Sequence, residues 1–264
     1  MICGPSASAR DRRKGRTLLY MVPYLALALA GCDKEPTKLE KMAASANAPP
    51  PATSAAPAPP PKPSKPQISV DDGTILVGSD RIELGAPDAR GRLAAALVGK
   101  PLVEGEELVV VAQRSAKMPR VSMLLDALRA AKAKAALVKT QARDKTTLEL
   151  SVPFDATAKD CSAVGFIGKD SSISAWTVSG GTATRYARGM AGPDLTLGSA
   201  GVRKVAGACD ASAWVVSADE TVTWGLVVDL VSAVRSPGDA GVMRAQTLIV
   251  PSEAPVPGRK VKLP

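Results

Sequence analysis

Histidine is absent from all 264 residues, and aromatic side chains make up only 3% of them. The first absence excludes His-based catalytic triads, HExxH-type metal sites and the commonest general base at neutral pH. The second speaks against nucleic-acid binding, which interleaves aromatics with a concentrated basic face. Long apolar runs are also scarce. The most conspicuous, Thr17 to Ala30, falls short of the ~20 residues that cross a bilayer as a helix and is interrupted by Pro23. Basic residues outnumber acidic ones, 34 to 25, for a formal net charge of +9. Residues 1–31 hold Arg10, Arg12, Arg13, Lys14 and Arg16 against Asp11, however, so the remainder carries only 9 − 4 = +5. That charge is spread along the chain apart from Arg259, Lys260 and Lys262.

The basic start, the short apolar run and the small residues after it read as a secretory signal over residues 1–31, rather than as a retained anchor. The run ends Leu29-Ala30-Gly31-Cys32, which resembles the lipobox of bacterial lipoproteins. The resemblance implies cleavage before Cys32, acylation of its thiol and a mature chain held on a membrane facing the periplasm. The alternative is an ordinary secretory signal with a chance cysteine. Asp33 resembles an inner-membrane retention signal of some bacteria, and inner versus outer membrane stays open. Several acyl chains on one cysteine anchor stably, at ~0.8 kcal/mol per buried methylene.

Four cysteines are present. With Cys3 in the signal and Cys32 lipidated, Cys161 and Cys209 remain as a pair in an oxidising compartment and are read as a disulfide, with two free buried thiols as the competing reading. Residues 32–66 are Ala-, Pro-, Ser- and Lys-rich, as in AASANAPPPATSAAPAPPPKPSKP. Such a segment buries too little apolar surface to offset its ordering entropy. A disordered stalk is expected there, serving as a periplasmic spacer or a plain tether, with ~3.1 Å of reach per extended residue.

Beyond the stalk, Leu108–Leu128 (LVVVAQRSAKMPRVSMLLDAL) aligns without a gap on Trp214–Val234 (WVVSADETVTWGLVVDLVSAV). The offset is constant, since 227 − 121 and 234 − 128 both equal 106. Val109 and Val110 match Val215 and Val216 as a buried strand. Val121, Leu124, Leu125 and Leu128 match Val227, Leu230, Val231 and Val234 at i, i+3, i+4 and i+7, one apolar helix face. Each unit is preceded by a hairpin, Ile68–Val70 with Thr74–Val77 about Asp71-Asp72-Gly73, and Ala163–Ile167 with Ile173–Val178. A helix then follows, Asp88–Leu97 in the first copy and a poorer one, Asp194–Ala208, in the glycine-rich second. Further strands are expected at Ala135–Val138 and Gly241–Val250. The expected fold class is α+β: two tandem small ββαβαβ-type two-layer domains, 67–152 and 153–253, followed by a basic C-terminal tail, 254–264.

The hairpin VDDGTILVGSDRIEL, the unit VVVAQRSAKMPRVSMLLDALRAAKAKAALV and VVSADETVTWGLVVDLVSAV together resemble the periplasmic domain of the ExbD/TolR biopolymer-transport family. The pattern A-D-x-x-V-x-aromatic-G-x-V-V is met at Ala218, Asp219, Val222, Trp224, Gly225, Val227 and Val228. In the first copy Gln113, Met118 and Pro119 replace the acid, the aromatic and the glycine. The resemblance implies dimerisation, replaced here by a pseudo-dimer of the two copies if they pack together, and contact with peptidoglycan or envelope transport proteins. The family's transmembrane helix with its proton-coupling aspartate has no counterpart. The expected function is therefore a non-enzymatic envelope lipoprotein, with an accessory subunit of a proton-motive-force-driven transport complex as the alternative.

No catalytic set assembles, and no metal or cofactor is expected. Gly165–Lys169 departs from P-loop spacing and lacks the Ser/Thr. Gly198-Ser199-Ala200-Gly201 departs from G-x-S-x-G and has no base. Asp219 with Glu220 is a candidate carboxylate pair, or two side chains diverging into solvent. Asp126 and Asp229 are expected on the solvent sides of their helices. Trp224, at a helix entrance, either stacks on a glycan or protein partner or caps the core, and Asp219 and Trp224 are the candidate partner-binding residues.

Overall fold

The computed structural model describes residues 64–98, 100, 102–236 and 246–264. Cys32, the signal and most of the expected stalk lie outside them. The first half runs β1 (Ile68–Val70), β2 (Thr74–Val77), β3 (Asp80–Glu83), α1 (Ala89–Val98), β4 (Glu107–Ala112), α2 (Met118–Ala130), β5 (Ala135–Gln141) and β6 (Thr147–Pro153). The second runs β7 (Ala163–Ile167), β8 (Ile173–Thr177), β9 (Thr184–Tyr186), α3 (Leu195–Gly207), β10 (Ala213–Ala218), α4 (Trp224–Arg235) and β11 (Thr247–Ile249). The protein is thus mixed α+β, with two mixed sheets of six and five strands and four helices among the described residues.

The sheets are ordered β3-β2-β1-β4-β5-β6 and β9-β8-β7-β10-β11. In both, the first three strands pair antiparallel and the next two join in parallel. The first sheet adds β6, antiparallel to β5. Each half therefore holds a third strand beyond the expected hairpin. Strand β3, Asp-Arg-Ile-Glu, buries only Ile82, and β9 is three residues with little burial. Edge strands this short and charged leave almost no period-2 apolar signal, which is also how edges resist unwanted pairing.

The Asp71-Asp72-Gly73 turn forms because Asp71 Oδ1 accepts from the backbone N–H groups of Gly73 (2.8 Å) and Thr74 (2.6 Å), an Asx turn. Helix α3, the weaker expectation, is well formed. Asp194 caps it by accepting from Leu197 N at 3.0 Å, and two of its glycines, Gly198 and Gly201, have a packing reason. A Cβ on Gly198 would collide with Ile173, and one on Gly201 with the Tyr186 ring. Glycine there lets α3 lie close over β8 and β9, so the cost in helix propensity is offset by contact with the sheet.

One apolar core spans both halves. The inward residues of β4 (Leu108, Val110, Ala112) and of β10 (Trp214, Val216, Ala218) belong to it, together with the four apolar positions expected on α2 and on α4. The other face of the second sheet holds a smaller core of its own, built on Val164, Phe166, Trp176, Val215 and Ile249. The C-terminal stretch 254–264, marked off in the sequence by its basic residues, lies against it. Trp176 Nε1 donates to Arg259 O (3.1 Å), Val261 N donates to Val178 O (2.9 Å), and Val261 is buried. Cys161 and Cys209 form a disulfide joining the segment before β7 to the one before β10. With the bond formed, the free-thiol reading is set aside.

Candidate functional site at the seam between the halves

The connection from β4 to α2 and the connection from β10 to α4 meet antiparallel, with Lys117 bridged to Thr223. An α-helix leaves its first N–H groups without intrahelical acceptors. Neither α2 nor α4 uses a side-chain cap; each takes carbonyls from the opposite connection. Met118 N donates to Val222 O at 2.9 Å, and Trp224 N donates to Ala116 O at 2.7 Å. These bonds are mates under the sequence offset, because 224 − 118, 222 − 116 and 223 − 117 are all 106. Gly225 N also donates to Arg114 O at 3.0 Å. The mate of Gly225 is Pro119, which has no N–H, so the reciprocity stops there. A Cβ on Gly225 would stand 3.0 Å from both Arg114 Cβ and Arg114 O, so glycine is what permits the close approach.

Trp224 is fully buried, which decides for the core-capping reading over the stacking one. Its indole Nε1 donates to Thr140 Oγ1 of the first half at 2.8 Å. The ring is too large to be left at a helix entrance once a second layer covers it, and its one polar atom finds an acceptor there. Its counterpart Met118 is likewise buried. The partner that Trp224 touches is the other half of the same chain.

Asp219 is half-buried, and its Oδ1 accepts from Thr221 N (3.0 Å) and Thr221 Oγ1 (2.7 Å). Those bonds, backbone first, hold its carboxyl below the ordinary carboxylate range, with Lys169 adding to the effect. The residue shapes the loop that presents Val222 O. Its Oδ1 is occupied by that turn. Neighbouring Glu220 is exposed and lines a shallow cleft with Lys117, Pro119, Arg120 and Thr221 along the seam.

Asp229 reverses its expected place. Only 11% of its side chain is exposed, and its Oδ2 takes Arg114 Nη2 at 2.8 Å and Arg143 Nε at 2.9 Å, both from the first half. Helical phase alone put it on the polar side of α4, but that side faces the other half. Nothing in the spacing marks Arg114 and Arg143 as its partners. Asp126, by contrast, stays partly exposed and pairs with Arg129 and Ser252.

The residues of the two near-miss motifs have structural occupations. Gly165 lies inside β7 against Val202 and Trp214, and Ser199 is buried and donates to Thr196 O. Among the described residues no group of three or more His, Cys, Asp or Glu stands close enough to hold a metal. None of the described helices is long and apolar enough to cross a membrane. Comparison of the chain with protein-family models, with curated proteins and with solved structures finds no match in any of the three.

Proposed function

We propose that the chain is a non-enzymatic envelope lipoprotein, anchored through Cys32, whose two halves are tandem ExbD/TolR-like modules acting as one intrachain pseudo-dimer that binds peptidoglycan or a protein partner in the periplasm. The observation that carries the reading is the reciprocal capping of α2 and α4 at a constant offset of 106. Two unrelated domains in chance contact have no reason to exchange bonds related by one sequence shift, whereas two copies of one module about a two-fold axis do. The half-to-half ion pairs at Asp229 and the buried Trp224 bond to Thr140 then fix the arrangement.

The test uses the full chain in its own envelope. Mass spectrometry of the peptide beginning at Cys32 is expected to show acyl modification. The purified chain is expected to sediment with isolated peptidoglycan or to retain an envelope protein through affinity purification. Release of the chain into the soluble fraction with an unmodified Cys32 overturns the anchoring. Retention of neither wall nor protein overturns the binding role.

A further inference from the structure

The seam cleft lined by Lys117, Pro119, Arg120, Glu220 and Thr221, about 370 Å³ in volume, has a counterpart under the offset of 106 that the chain fills with its own side chains. Arg114 is the mate of Glu220 and Met123 the mate of Asp229, since 220 − 114 and 229 − 123 both equal 106. At the counterpart, Arg114 meets Asp229 at 2.8 Å and Arg143 joins them, so every charge is answered. In the open cleft the position that would answer Glu220 holds neutral Met123.

The two cations of the open cleft are half-buried and fixed by main-chain carbonyls. Lys117 Nζ donates to Thr221 O at 3.1 Å, and Arg120 Nη1 donates to Leu84 O at 3.3 Å. Neutral acceptors orient these groups without cancelling their charge. The nearby acids have other occupations, Glu83 with Arg81 and Asp219 with the Thr221 turn. Among the described residues neither Lys117 nor Arg120 forms an ion pair, and Glu220 forms none either. Charges of both signs therefore line one cleft unpaired. We propose that this cleft binds an amino-acid zwitterion, its carboxylate between Lys117 and Arg120 and its ammonium on Glu220.

The planar guanidinium of Arg120 suits a carboxylate, which it can take through two parallel N–H bonds. A ligand carrying both signs satisfies all three side chains, whereas a purely anionic or cationic one leaves a charge facing its like. The volume lies at the small end of the ~300 to 1,000 Å³ usual for ligand sites, which fits an amino-acid-sized group. Within a cell-wall polymer the same chemistry selects the peptide over the sugar. All three tryptophans are buried, so none is available to stack on a glycan ring. The stem peptide of peptidoglycan presents ammonium and carboxylate together on its diamino acid. That source rests on the wall-binding reading above, while the selectivity of the cleft does not.

Isothermal titration of the purified full chain with meso-diaminopimelate, pimelate and cadaverine tests the cleft, because the three carry both charges, carboxylates alone and ammoniums alone. Diaminopimelate is expected to bind with a dissociation constant below about 5 mM, and each analogue at least about tenfold more weakly. Glu220→Gln is expected to weaken diaminopimelate at least about fivefold, and Glu220→Lys to turn the preference toward pimelate. Glu253→Gln, exposed elsewhere, is expected to change nothing. Unchanged near-ultraviolet dichroism from the buried tryptophans shows that each variant is folded. Equal binding of the three compounds, binding of none, or a preference for diaminopimelate indifferent to Glu220→Gln overturns the proposal. The same variants in the peptidoglycan sedimentation assay identify the source. Sedimentation lost in Glu220→Lys assigns the zwitterion to the wall, and diaminopimelate binding with sedimentation unaltered assigns it to a free amino acid. A chain that sediments with peptidoglycan but binds no diaminopimelate overturns the cleft and leaves wall binding standing.

Discussion

At Val109 and Val215 the two halves carry the same residue at the same step of the same strand, yet Val109 is 43% exposed and Val215 is fully buried. The inner face of each strand is alike: Leu108, Val110 and Ala112 correspond to Trp214, Val216 and Ala218, all in one core. The outer faces differ because the second half lays its own chain over its sheet and supports it with Phe166 against Trp176, edge to face at 6.3 Å. A strand's burial on its second face is therefore not a property of the strand. It depends on whether some other part of the chain is long enough, and apolar enough, to reach it.

The sharpest break in this comparison is expected from lysine at the paired positions. Val215→Lys places an unpaired ammonium in a closed core and should cost more than about 4 kcal/mol, whereas Val109→Lys should stay within about 0.5 kcal/mol. Urea denaturation of the two variants checks this, and equal costs would mean that the outer core of the second sheet is not closed in solution. Next comes the seam, where Trp224→Ala is expected to cost about 4 kcal/mol and its mate Met118→Ala about 3. The same denaturation midpoints rank them. Loss of the Cys161–Cys209 bond, present in the second half and without a counterpart in the first, should cost about 3 kcal/mol. Melting temperatures of the Cys161→Ala/Cys209→Ala double variant and of the parent chain under reducing conditions should agree.

A smaller effect is expected at Gly225 and Pro119. Gly225→Ala forces the Arg114 backbone away and should cost about 2 kcal/mol, while Pro119→Ala, which adds an N–H facing the Glu220 side of the seam, should change stability by less than about 1. Hydrogen exchange at Trp224 N and Met118 N reads the seam directly. The smallest effect concerns the hairpin turn of the second half. The hydroxyl and then the backbone N–H of Ser172, followed by Arg185, lower the Asp170 carboxyl from an ordinary 3.8 to about 2. A depressed folded pKa stabilises above the unfolded value and loses that contribution as pH falls through the folded one. Asp170→Asn should therefore flatten the stability-versus-pH curve between about pH 4 and pH 2 and leave its shape above pH 5 unchanged.

Much of the fold was legible because it rests on period. The i, i+3, i+4, i+7 faces of α2 and α4 and the hairpin at Asp71–Gly73 appear where spacing and turn chemistry placed them. Strands β3 and β9 were not foreseen, since short half-polar edge strands resemble loops in sequence, whereas β6, also not foreseen, does carry the period-2 alternation of a strand in Thr147–Val152. The seam was legible only as a list of matching residues. Gly225 stood out as part of a pattern, but its reason, the Arg114 backbone 3.0 Å from where a Cβ would be, belongs to a segment over a hundred positions away. Asp229 was misplaced for a related cause, because a helix's polar side counts as solvent until another layer is known to cover it.

Composition and order along the chain decided what kinds of chemistry are open to this protein. Without histidine, with few aromatics and with a lone pair of cysteines beyond the N-terminal region, the residues themselves restrict the repertoire before any folding. Local period likewise decided which side of each central strand and helix turns inward, since that depends only on neighbours a few positions apart. Only the tertiary structure decided what faces what: that two connections cap each other's helices, that Asp229 meets two arginines, and that one sheet is closed while the other is open. Those contacts join segments far apart in the chain, and no short-range pattern encodes the distance between them.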